Sequence, residues 1–274
     1  LYHGVGVGKT CGAIQIAEAW LEIFPTQRVM IVAPPTIHKG FKRTIFDMSK
    51  VTIGKDNEPN TASQCTGDTY MRLTDTLLER NKSVIERKVK KEINRRYEFY
   101  GYQSFANTIQ RIKGSIPPQE TLQKTNIRRA AVLQDEFNYR LLIIDEAHNL
   151  RDANAAGPEE LDTMGEESDL KDAKAGKMLT KELLDLLTKV EGLKLLLMTA
   201  TPMFNNVFEI VSLLNLLLLN DKRTTIREDQ ILDKSGALLP DADAILKPIA
   251  NAYISFMRGE NPNSFPMRLF PEKF

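Results

Sequence analysis

Residues 3–10 read HGVGVGKT and lead directly into a stretch with helical patterning. Nothing else in the chain limits its fold so strongly. Gly4, Gly6 and Gly8 let the backbone approach a phosphate chain without Cβ clashes. Backbone N–H groups of such a loop, with the N-terminus of the following helix, form a cradle for phosphates. Lys9 would reach the β- and γ-phosphates of ATP, and Thr10 would place its hydroxyl on Mg²⁺. The strict pattern G-x-x-x-x-G-K-[ST] has glycine where this chain has His3. A glycine-rich turn that binds nothing is the alternative for the loop alone.

A phosphate loop of this kind belongs to an α/β fold, and the rest of the sequence agrees. Arg28–Ala33 (RVMIVA), Arg140–Asp145 (RLLIID) and Leu193–Thr199 (LKLLLMT) are short, nearly continuous apolar runs. Such runs mark parallel strands covered on both faces by helices. Helical spacing lies between them, at Ile14, Ala17, Leu21 and Phe24 and at Leu179, Leu183, Leu186, Leu187 and Val190, with Glu209–Leu219 a third helix. Strands alternating with helices predict a largely parallel sheet. More than a hundred residues separate Ala33 from Arg140, so that interval holds another strand and an insertion. The aromatic run Tyr97–Tyr102 (YEFYGY) is the expected strand.

The second chemical motif is LLIIDEAH, Leu141–His148, about 135 residues after the loop. Two adjacent carboxylates end an apolar strand, and strand carboxyl ends are where open α/β sheets bind ligands. Asp145 is suited to hold Mg²⁺, which prefers few carboxylates plus phosphate and water. Glu146 is suited to polarise the attacking water. Phosphoryl transfer relies on positioning and charge neutralisation, which Lys9, Asp145 and Glu146 would supply. A helix-capping pair is the alternative for the carboxylates taken alone.

With both motifs in place, the chain resembles the superfamily 2 helicase-like ATPases. HGVGVGKT, VAPP (Val32–Pro35), DEAH (Asp145–His148) and TATP (Thr199–Pro202) follow that family's motif order over nearly the whole chain. Thr199–Asp221 and Ala252–Pro271 are similar to ATPases of large DNA viruses. These include the small subunit of the poxvirus early transcription factor and nucleoside triphosphatase I, with relatives in African swine fever virus and giant viruses. Swi/Snf remodellers are the nearest cellular relatives.

The resemblance implies a RecA-like lobe over residues 1–222, with a charged helical insertion at about 50–130. Residues 223–274 are expected to be an irregular extension. It implies that His148, Thr199 and Thr201 couple the ATP site to a nucleic-acid groove. Pro34, Pro35, Thr36, Lys39 and Lys42 would track a nucleic-acid backbone, and Tyr97–Asn107 would hold a strand and turn facing nucleic acid. Solvated helix faces for the lysines, a polar strand end for His148 and helix capping for the threonines are the alternatives. The family's second lobe, with its arginine fingers, is not expected within this chain. Arg258 is rejected as a finger on that ground. The opening Leu1-Tyr2-His3-Gly4, with no methionine, suggests a fragment whose first strand has been removed.

Composition narrows the function. Lys and Arg number 37 against 36 Asp and Glu, so nucleic-acid binding must come from local patches. Arg80–Arg96 holds eight basic residues against Glu86 and Glu92, a net of +6. It suits a DNA backbone or a solvated helix. Asp152–Asp169 holds seven acidic residues and no basic one, and reads as a mobile loop or a dock for a basic partner. The two cysteines, Cys11 and Cys65, exclude a disulfide framework and a four-cysteine zinc site, and fit a reducing compartment. The apolar run near Val211–Leu219 is too short for the roughly 20 residues of a membrane span.

The expected protein is the ATP-binding lobe of a viral ATPase that couples ATP hydrolysis to movement on DNA, or on RNA. Its setting would be viral transcription, with polymerase or transcription-factor subunits as partners, in the virion and the host cytoplasm. The lobe alone would hydrolyse ATP slowly or not at all. A replication or repair helicase is the alternative within the class. A nucleic-acid- or polymerase-binding module with a degenerate ATP site is the alternative outside it. A small P-loop kinase fits neither DEAH nor TATP.

Overall fold

A computed structural model describes residues 1–4, 8–53, 59–116, 121–150, 167–203, 208–233 and 237–257. Strands run β1 Tyr2–His3, β2 Val29–Val32, β3 Thr52–Ile53, β4 Pro59–Asn60, β5 Tyr97–Tyr100, β6 Leu141–Ile144, β7 Lys194–Leu197 and β8 Phe256–Met257. Helices run α1 Lys9–Ile23, α2 His38–Ile45, α3 Thr69–Leu73, α4 Lys82–Arg96, α5 Tyr102–Gly114, α6 Leu122–Phe137, α7 Glu167–Lys189, α8 Phe208–Asn220 and α9 Ala242–Tyr253. The three apolar runs are β2, β6 and β7, and the long interval supplies the expected strand as β5. That strand ends at Tyr100. Gly101 is the N-cap of α5, so Tyr102 opens a helix instead of closing a strand.

The central sheet is parallel throughout, in the order β5-β2-β6-β7. Side chains alternate across it. Met30, Val32, Leu142 and Ile144 enter one core with α5, α6, α7 and α8. Val29, Ile31, Leu141 and Ile143 enter the other with α1, α2 and α4. All four residues of β2 and of β6 are buried, which explains their unbroken apolar composition. The predicted helix faces are those that pack: Ile14, Ala17 and Leu21 from α1, and Leu179, Leu183, Leu186, Leu187 and Val190 from α7.

Three expectations need correction. Residues 223–253 are not irregular throughout. Helix α9 lays Ile245, Leu246 and Ile249 over Val211 and Leu218 of α8, forming a third, smaller core. Helix α8 is apolar nearly all round because it is buried on two sides. A strand does precede the phosphate loop: β1 pairs in parallel with β8 and bridges to Thr199 just past β7. The two cysteines do bond each other. Cys11, in the first turn of α1, is joined to Cys65 with a Cα separation of 5.7 Å. It is a single cross-link and not a framework. The 54-residue spacing conceals it, because the intervening chain folds back across α1.

The acidic stretch Asp152–Asp169 and the segment Arg258–Phe274 fall almost wholly or wholly outside the described residues, Arg258 included. None of the described helices is long and apolar enough to cross a membrane.

Candidate nucleotide and coupling site

The site is built at the carboxyl ends of the parallel strands. Gly8 is the N-cap of α1 at φ +85°, a left-handed conformation that favours glycine. No side chain caps this helix end, and its first turn holds no acidic residue. Its backbone N–H groups and positive dipole end are therefore left for an external anion. Lys9 and Thr10 occupy that first turn and are half-buried. Gly4 donates its backbone N–H to Met257 O at 3.1 Å, fixing the entry to the loop. Gly6 lies outside the described residues.

At the end of β6, Asp145 is only 5% exposed. Burial pushes its carboxyl up to about 6, against the positive charge of Lys9, which favours ionisation. One carboxylate oxygen accepts the Glu146 N–H at 2.9 Å. Glu146 sits at φ 48° and ψ 46°, a left-handed conformation uncommon outside glycine, Asn and Asp. Surrounding contacts impose it. Ala147 N–H donates to Met198 O at 2.9 Å. The Tyr102 hydroxyl donates to Asp145 O at 2.7 Å, and Asn149 Nδ2 donates to Glu146 O at 3.2 Å. The turn leaves Asp145 buried and the Glu146 side chain 38% exposed. The two adjacent carboxylates thus meet different environments, one desolvated and one open to solvent. Thr10, in the first turn of α1, and Asp145, at the end of β6, offer hard oxygen donors of the kind that fits Mg²⁺ with phosphate.

The residues expected to couple do meet. His148 Nδ1 lies 3.3 Å from Glu146 Oε2, 3.2 Å from Thr199 Oγ1 and 3.4 Å from Thr201 Oγ1. Thr201 N–H donates to Thr199 Oγ1 at 3.0 Å, closing the loop after β7. One imidazole therefore touches the Glu146 carboxylate and both hydroxyls of TATP.

The residues after β2 form a separate group. Pro34 precedes a short 3-10 turn, Pro35–Ile37, which holds Thr36 and leads into α2. Pro35, Thr36 and Lys39 are exposed. Lys42 differs, since its ammonium lies 4.8 Å above the Phe99 ring and 3.4 Å from Asn94 Oδ1.

Sequence reasoning missed four supporting residues. Tyr102 and Asn149 hold the DEAH turn. His38 Nε2 donates to Ala33 O at 2.9 Å and Tyr100 O at 3.2 Å, tying the ends of β2 and β5 together. Gly176 in α7 lets that helix touch the DEAH turn, because a Cβ there would lie 2.1 Å from Asn149 O. Asn149 is adjacent to the motif and Tyr102 lies in the aromatic run, but neither pattern pointed to a hold on the DEAH turn.

Residues 1–204 match the family described as type III restriction enzyme, res subunit. Relatives among viral proteins extend the match along the chain. A candidate ATP-dependent RNA helicase of Acanthamoeba polyphaga mimivirus is 26% identical over 98% of this chain and 22% of its own length. A second of that virus is 26% identical over 97% of this chain and 38% of its own. A candidate helicase of Invertebrate iridescent virus 3 is 26% identical over 94% and 21%. The chain thus spans between about a fifth and two fifths of these relatives. The parallel sheet, the glycine-rich loop and the DEAH turn are those of a RecA-like domain, and the chain belongs to the type III restriction enzyme res-subunit family, as a superfamily 2 helicase-like lobe of large DNA viruses.

Proposed function

We propose that this chain is the ATP-binding lobe of a viral motor that couples ATP hydrolysis to movement along DNA during transcription. The observation that carries the reading is the contact of His148 with Glu146, Thr199 and Thr201. A hydrolytic carboxylate and the loop after β7 share one side chain, so a change at either is felt by the other.

In this reading Gly4, Gly6 and Gly8 with the first turn of α1 bind the ATP phosphates, and Lys9 pairs with the β- and γ-phosphates. Thr10 and Asp145 would hold Mg²⁺, which supplies neutralisation of phosphate charge when bound. Glu146 accepts hydrogen bonds from the attacking water and orients it. His148 holds the Glu146 carboxylate in place, and Thr199 and Thr201 read its position. Pro34, Thr36, Lys39 and Lys42 face the nucleic-acid backbone. The partners would be DNA and viral polymerase or transcription-factor subunits, in the virion and host cytoplasm. The mimivirus relatives are named for RNA, so RNA belongs in every assay.

The test is DNA- and RNA-stimulated ATPase of the full-length protein. Lys9→Ala and Glu146→Gln are each expected to lower turnover at least a hundredfold. Retained activity in both removes the catalytic assignment. An intact transcription function in Lys9→Ala would favour a binding module with a degenerate ATP site. This chain alone is expected to turn over little ATP even with DNA.

A further inference from the structure

The basic stretch at 80–96 becomes, as α4, one wall of a groove whose other wall is α2. The groove has a volume of about 670 Å³ and runs from Pro35 and Lys39 to Lys90 and Asn94. Helix α4 is held firmly. Ile85, Val89 and Ile93 are buried in the core, and Asn81 caps its start by accepting the Ser83 N–H. At its other end, Arg96 pairs with Glu18 of α1 at 2.5 Å. What this rigid helix presents to solvent is charge. Lys90 lines the groove, and Arg87 and Lys91 are exposed elsewhere on the same helix. Across the groove stand Lys39 and Lys42, with Arg43 engaged by Asp47 at 3.3 Å. Glu86 is the acidic counterpart on the α4 wall.

We propose that α4 is a second nucleic-acid contact element, extending the backbone track of the residues after β2 along the α2–α4 groove. This rests on the nucleic-acid reading above and deepens it. Lysines on both walls, with the Phe46 ring covered and the His38 ring bonded to Ala33 O and Tyr100 O, suit phosphate contact more than base reading. The alternative occupant is an acidic peptide. The groove floor argues against it, since Phe46, Val89 and Ile93 are 7%, 2% and 6% exposed. Those apolar side chains are already covered, leaving a peptide no anchor. A polyanionic strand needs none, because its binding comes from counterion release.

The experiment is fluorescence anisotropy of this chain with labelled mixed-sequence single-stranded DNA, duplex DNA and single-stranded RNA across a NaCl series. The variant Arg87→Glu/Lys90→Glu/Lys91→Glu is compared with Lys39→Ala/Lys42→Ala and with Lys174→Glu, which lies on α7 across the sheet. Thermal unfolding and binding of a fluorescent ATP analogue report whether each variant is intact. The α4 variant is expected to bind at least tenfold more weakly at about 100 mM salt. Its plot of log affinity against log salt should be shallower by about two to three units, each phosphate contact contributing about 0.7–0.9. Lys90→Arg in an otherwise unchanged chain should bind as the parent does. Unchanged affinity and slope in the α4 variant, with weakened binding in the Lys39/Lys42 variant, would overturn the α4 assignment and leave the function standing. No nucleic-acid binding by the parent chain would overturn both. Binding of polyglutamate, with loss in the α4 variant and no nucleic-acid binding, would assign the groove to an acidic peptide instead.

Discussion

The two faces of the central sheet are held by different kinds of contact. On the α7 side the core is largely aliphatic, with Leu179, Leu183, Leu186 and Leu187 packed on β6 and α5. Its main charged cluster is less enclosed, since the buried Glu182 pairs with Lys113, which also pairs with Asp185, and the Lys113 and Asp185 side chains are 19% and 33% exposed. On the α1 side the apolar packing is pierced by buried polar chemistry. Glu18 of α1 accepts from Tyr70 at 2.7 Å, Tyr97 at 2.6 Å and Arg96 at 2.5 Å. Burial beside Glu18 raises both tyrosine hydroxyls well above their usual range. The Cys11–Cys65 bond adds a covalent tie to the same helix. Non-directional packing supports the face that only has to be stable. Directional ties converge on the face whose helix carries the phosphate loop, where a small displacement would misplace Lys9 and Thr10.

Changes at each face can break that contrast. The largest effect is expected from Glu18→Ala, which leaves Arg96 charged and buried without its partner, at a cost of roughly 3–5 kcal/mol. The double change Glu18→Leu/Arg96→Met should recover most of that loss in denaturant melts. A single-variant cost below about 1 kcal/mol would mean the polar cluster does not hold this face. Next comes Leu183→Ala, fully buried, at about 3 kcal/mol. Its nucleotide affinity should be unchanged, and a parallel loss of affinity would show that the faces are not separable.

Cys65→Ser should cost about 2 kcal/mol, below the roughly 4 kcal/mol that chain entropy alone gives a loop of this length. Added dithiothreitol should lower the melting temperature of the parent and leave that of the variant unchanged. The smallest effect has the opposite sign. Asp145 ionises less readily in the fold than in the unfolded chain, so its burial subtracts stability as pH rises from about 4 to about 6. Asp145→Asn should therefore stabilise the protein by about 1–2 kcal/mol at pH 8, while weakening Mg²⁺-dependent nucleotide binding. A destabilised variant would refute the desolvation account.

Much of the fold was legible because its signals are local. Continuous apolar runs gave β2, β6 and β7, and spacing gave the buried faces of α1 and α7. Helix α9 was hidden because Pro248 interrupts its pattern and its apolar residues make sense only against α8. In the site, the residues that touch phosphate or metal in the proposed chemistry are contiguous motifs and could be read directly. Tyr102 and Gly176 act on the DEAH turn across long separations of chain, and no local pattern points from one to the other. The charge of α4 was visible as composition, but its place beside α2 was not.

The pairing of β1 with β8 has a consequence for how the protein is made. Tyr2 and His3 lead into the phosphate loop, and their partners are Phe256 and Met257. In a growing chain the loop emerges long before Phe256 and Met257, so its entry strand cannot gain this neighbour until residue 257 has left the ribosome. At roughly 5–20 residues per second, the interval is on the order of tens of seconds. Throughout that time the segment that leads into the phosphate loop lacks its neighbouring strand.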